Sequence, residues 1–150
     1  MNIHVIYGTV GGNTKLVCEE AAEVWKDSGH DVNFFDVKVA ETEEAINGDL
    51  LVFASPTYGH GDLEPHFGSF LHGLKNADLA GKKCAVIGLG DPKYDKDYHL
   101  ESVKIIVDFL KEKESEILHM PLRISKNPLP LMSQSFVKKW AEKILETIDA

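Results

Sequence analysis

Cysteine is scarce: Cys18 and Cys84 are the only two in the chain. They lie far apart in apolar stretches without CxxC spacing, which points to buried thiols in a reducing cytoplasm and not to a disulfide or metal pair. Long hydrophobic runs are missing as well, and nothing approaches the roughly 20 apolar residues that span a bilayer. The first residues, "MNIHVIYG", enter a strand pattern directly, with no basic region or small-residue cleavage site ahead of it. The expectation is therefore a cytoplasmic protein with no signal peptide and no membrane partner. Basic residues are outnumbered, 16 Lys and Arg against 24 Asp and Glu, for a net charge of −8. That balance argues against nucleic-acid and anionic-membrane partners, both of which favour a basic face. It suits steering toward a positively charged protein, although simple solubility accounts for it equally. Repeats, linkers and low-complexity tracts are absent, so residues 1–150 are expected to form one domain. The histidines show no metal-ligand spacing, and no metal is expected.

What is present is an alternation. Strand-like runs cover Ile3 to Tyr7, Asp31 to Val37, Asp49 to Ser55, Lys83 to Gly90 and Glu116 to Ile124. The third and fourth are almost continuously apolar, as parallel strands covered on both faces should be. Between them run helical stripes: Val17, Cys18, Ala21, Ala22 and Trp25, stopped by Ser28-Gly29-His30; then Val103, Ile106, Val107 and Leu110; then Val137, Trp140, Ala141, Ile144 and Ile148. Each stripe reads as sheet-facing core. A shorter helix fits Pro65 to Leu74, with a proline where the first turn tolerates one, and a brief helical turn fits Glu41 to Asn47. Five strands alternating with helices imply a parallel sheet with right-handed crossovers, a doubly wound α/β fold. Ligands of such sheets bind beyond the carboxyl ends of the strands, at the switch point, so the loops after strands one, three and four matter most.

The first of these is "GTVGGNT", Gly8 to Thr14. Its glycines let successive N–H groups converge on an anion, Thr9, Asn13 and Thr14 add side-chain donors, and a helix start follows. The Walker pattern GxxxxGK[ST] is not met, because Asn13 follows Gly12, and the dinucleotide pattern GxGxxG is missing too. Alone, the loop supports a phosphate site or a helix cap. Lys15 either assists that phosphate or is a solvated surface lysine. The second loop, "SPTYGHGDLEP", carries Tyr58, and the third, "GLGDPKYDKDY", carries Tyr94. Either aromatic alone can pack under its own loop. Two of them on adjacent switch-point loops, beside an anion cradle, can sandwich a planar ring.

With these three loops in place the chain resembles flavodoxin, the family of small FMN-binding electron carriers, over essentially its whole length. The resemblance implies a flavodoxin-like three-layer sandwich with a five-stranded parallel sheet of order 2-1-3-4-5. It implies that Thr9, Val10, Gly11, Gly12, Asn13 and Thr14 hold the FMN phosphate; Gly11 stands where the family usually has threonine, which removes one hydroxyl donor. Pro56, Thr57, Tyr58 and Gly59 match the flavin-contacting segment, with Tyr58 where many members carry tryptophan. By the same resemblance the Gly59 carbonyl turns to accept a hydrogen bond from flavin N5–H, favouring the neutral semiquinone. Leu89, Gly90, Asp91 and Tyr94 match the opposite wall, and Asp97 lies among the acids around it. His60 replaces a common acidic residue. It either makes the flavin potential more pH-sensitive or is an exposed loop histidine without redox effect, and redox titrations of His60→Asn against the parent distinguish the two.

The fifth strand leaves no room for the segment that long-chain relatives insert there, so the chain resembles the short-chain type. It also resembles the FMN modules of diflavin reductases and MioC-like proteins. The loops offer no nucleophile–base pair and no acid–base dyad, which favours a monomeric electron carrier over an enzyme. Its redox partner proteins are expected to present basic docking faces. The acids Asp62, Glu64, Asp91, Asp95 and Asp97 are expected to disfavour the anionic hydroquinone, diluted locally by Lys93 and Lys96. The alternatives are an FMN-dependent quinone or nitro reductase and a MioC-like accessory flavoprotein. A phosphoacceptor receiver is excluded, because the places of its acidic cluster and aspartate read Tyr7-Gly8 and Ala54-Ser55.

Overall fold

Every strand-like run of the sequence enters one sheet. The computed structural model describes residues 1–8, 12–58, 62–89, 101–124 and 131–149. In chain order the elements are β1 (Asn2–Tyr7), α1 (Asn13–Asp27), β2 (Asp31–Asp36), α2 (Thr42–Ala45), β3 (Leu50–Tyr58) and β4 (Asp62–Leu63). There follow α3 (Pro65–Gly73), β5 (Lys83–Leu89), α4 (Glu101–Glu112), β6 (Glu116–Ile117), β7 (Leu122–Ile124) and α5 (Leu131–Asp149). The order is β2-β1-β3-β5, with β6 and β7 both on the far side of β5 and every one of these pairings parallel. With β6 and β7 counted as one interrupted strand and β4 as an appendage, the order is the expected 2-1-3-4-5.

Side chains alternate across the strands and fill two cores. On one face α1 and α5 lay Val17, Ala21, Trp25, Val137, Trp140 and Ile144 over Ile3, Val5, Val52 and Ile87. On the other, α3 and α4 lay Phe67, Leu71, Val103, Ile106 and Leu110 over Ile6, Leu51, Phe53 and Val86. All three helical stripes are thus core, with Val107 and Ile148 partly buried at the margins. Trp25 ties the first pair of helices by donating its indole N–H to Ala141 O at 3.1 Å, inside the core. Gly88 sets the approach of α4. A β-carbon there would overlap Val103 Cγ2, so only glycine lets the helix lie this close to β5.

Two elements differ from the sequence reading. The run from Glu116 to Ile124 is broken: Leu118 N–H still reaches Cys84 O at 2.7 Å, but His119 then takes φ 58° and the ladder stops. Pro121 has no N–H to restart it, and pairing resumes only at Leu122. His119 is therefore exposed in the break and not inside a strand. Trp140 spans the gap, its indole N–H donating to Met120 O at 2.8 Å. The second departure is β3, which runs past Ser55 to Tyr58 because Thr57 and Tyr58 pair antiparallel with Leu63 and Asp62. Tyr58, read as a loop aromatic, ends a strand.

Candidate functional site

Three strands end side by side at one edge of the sheet. Tyr7 is level with Ala54, Ala54 with Ile87, and Pro56 with Leu89. Gly8 N–H extends the first pairing by one bond to Ala54 O at 3.0 Å. The chain leaves β1 for β2 on one side and returns to β3 on the other, so the crevice between β1 and β3 is the switch point. The roots of all three loops singled out in the sequence are gathered there.

The start of α1 is open to an anion. Gly12 takes φ 86°, a left-handed conformation that an L side chain resists, and no side chain caps the helix. The first helical bond runs from Leu16 N–H to Gly12 O, so the N–H groups of Asn13, Thr14 and Lys15 find no acceptor within the helix. No acidic residue stands in the first turn. Thr14 is only 1 % exposed, and its hydroxyl has no hydrogen-bond partner among the described residues. A buried donor left in this way costs free energy unless something accepts from it. Three N–H groups and an orphaned hydroxyl fit a phosphate. Lys15 beside them is exposed. Tyr7, the last residue of β1, packs edge-on to Phe34 with ring centroids 6.2 Å apart, and burial, then the negative charge of Asp36, raises its pKa.

Of the residues expected to contact a cofactor, Gly12, Asn13 and Thr14 share the α1 start, while Pro56 and the buried Leu89 lie opposite each other at the ends of β3 and β5. Thr57 and Tyr58 form the first leg of the β3–β4 hairpin. Thr9, Val10, Gly11, Gly59, His60, Gly90, Asp91, Tyr94 and Asp97 lie outside the described residues, as do Lys93, Asp95 and Lys96. Glu64, expected among the negative charges near the site, has a structural task as well. It is 4 % exposed, and its carboxylate accepts from the backbone N–H groups of His66 and Phe67 at 3.1 and 3.0 Å, capping α3. Pro65 at the first helical position was the signal for that cap. No group of three or more His, Cys, Asp or Glu able to hold a metal occurs among the described residues.

A doubly wound sheet with a phosphate-ready helix start at its switch point defines the class: an open α/β protein that binds its ligand across the carboxyl ends of β1, β3 and β5. Within that class the chain belongs to the flavodoxin family, whose sequence model, "Flavodoxin", matches residues 5–140. It is 29 % identical to the flavodoxin of Maridesulfovibrio salexigens over 147 residues, 96 % of this chain and 97 % of that one. The crystal structure of oxidised flavodoxin 2 from Bacillus cereus superposes with a TM-score of 0.90 at 28 % identity, covering 97 % of this chain and 99 % of the other. The Fusobacterium nucleatum flavodoxin, solved bound to flavin mononucleotide, shares the fold with a TM-score of 0.82 at 19 % identity, over 97 % of each chain.

Proposed function

We propose that residues 1–150 form a single monomeric unit that binds FMN non-covalently and carries electrons one at a time, at low potential, between a reductase and acceptor enzymes. The observation that carries this reading is the start of α1 without a side-chain cap, where the buried hydroxyl of Thr14 has no partner among the described residues, at the switch point of a flavodoxin-family sheet. Bound FMN supplies the one-electron chemistry. The chain supplies the rest. Thr9 to Thr14 hold the phosphate by neutral donors and the helix dipole. Pro56 to His60, with Leu89, Gly90, Asp91, Tyr94 and Asp97, would hold the ring and keep water from it, and Tyr58 and Tyr94 would cover its two faces. With FMN bound, the Gly59 carbonyl would accept a hydrogen bond from the flavin N5–H.

Purified protein should be yellow and pass through a blue form as it is reduced stepwise. Colourless protein that ignores added FMN would falsify the assignment. NADPH and a quinone should give no steady turnover without a separate reductase; such turnover would instead mark an enzyme. The net charge of −8 suits partners with basic docking faces, so electron transfer should slow as ionic strength rises.

A further inference from the structure

Helix N-caps favour the short side chains of Ser, Thr, Asp and Asn, and glutamate is an unusual choice. α3 nevertheless starts from Glu64, whose side chain folds back so that Oε1 accepts from His66 N–H and Oε2 from Phe67 N–H. An aspartate would serve the same cap with one methylene fewer. With the longer side chain, the capping oxygen Oε2 lies beside Gly8. A β-carbon placed on Gly8 would sit 3.0 Å from Glu64 Oε2, 3.2 Å from Phe67 Cδ2 and 3.3 Å from Val37 Cγ2. Gly8 is the last described residue before the first loop, and its N–H is held to Ala54 O. Glu64 directly follows β4, the second leg of the hairpin whose first leg ends at Tyr58. One buried residue therefore stands beside the root of the first loop and directly follows the second leg of the hairpin at the switch point.

We propose that Glu64 is a positioning residue of the cofactor site, fixing by its length the spacing between the first-loop root at Gly8 and the β3–β4 hairpin. The inference rests on the FMN reading above. A loop pair held at one separation presents the phosphate end and the ring end of the site already matched to a single ligand, which lowers the ordering cost of binding. The carboxylate itself stays at its cap and touches no ligand.

Glu64→Asp keeps the charge and the cap but loses the reach. Its apoprotein should unfold in urea as the parent does, while its Kd for FMN, read by flavin fluorescence, rises about tenfold and its flavin reduction potential shifts. Gly8→Ala should weaken FMN binding in the parent, yet cost much less in the Glu64→Asp background, where the added methyl takes the vacated room. A Glu64→Asp protein matching the parent in both Kd and potential would reduce Glu64 to a helix cap and overturn the inference. So would a strictly additive cycle. If the parent itself takes up no FMN, the cofactor reading falls first and this one with it.

Discussion

Thr14 and Glu64 are both buried polar residues at the switch point, yet their accounts run in opposite directions. The carboxylate of Glu64 is spent on two backbone N–H groups, whereas the hydroxyl of Thr14 has no partner among the described residues. Replacing Thr14 by valine keeps the shape and removes the orphaned donor, so the apoprotein should be no less stable in urea. Its Kd for FMN should rise about tenfold, as befits one lost hydrogen bond to a charged acceptor. Loss of apoprotein stability with unchanged FMN affinity would mean that the hydroxyl serves the fold instead. Thr14 was readable from its loop, because glycines, small donors and a helix start lie within a few residues of one another. Glu64 was not, because nothing local says whether a glutamate after a strand points to solvent or folds back onto the next helix.

At the scale of elements, the apolar periods carried most of the information. The stripes of α1, α4 and α5 fell where the 3.6-residue spacing put them, and "KCAVIGL" became a strand covered on both faces. What that run could not express is why its glycine is needed. Gly88 lies under Val103, so Gly88→Ala forces α4 away from β5 and should destabilise the protein by about 1–3 kcal/mol, seen as a lower urea midpoint. An unchanged midpoint would show that α4 can shift at no cost. The break between β6 and β7 escaped the same reading because "EILHMPLRI" alternates well enough to pass for one strand. Its interruption depends on a positive φ at His119 and on a proline that cannot donate. The extension of β3 to Tyr58 escaped it too, since its last two residues pair with a segment that only the turn brings back.

The whole molecule keeps its two thiols out of water. Burial, reinforced by Glu19, raises the pKa of Cys18 well above the ordinary 9.0, and burial pushes Cys84 up to about 12 against the opposing effects of Ser115 and Lys82. The folded state therefore holds protons that the unfolded chain releases above its ordinary thiol pKa. This contribution to stability is complete below pH 9.0 and declines as pH rises from there toward 12. An aromatic disulfide reagent at pH 8 should label both thiols in urea and neither in the native protein, and urea midpoints should fall from about pH 9 upward. Native labelling, or a midpoint flat through that range, would contradict the burial of these groups.

Period and composition are local properties, and they settled the alternation of strands and helices and the layers they form. The reason is that burial on a face imposes a spacing that can be read residue by residue. The placing of Glu64 beside Gly8, 56 positions apart in the chain, was decided by folding. So were the split of the fifth strand and the antiparallel end of β3. Each depends on which distant backbone groups meet, and a hydrogen-bond partner or a missing β-carbon leaves no period in the sequence that supplies it.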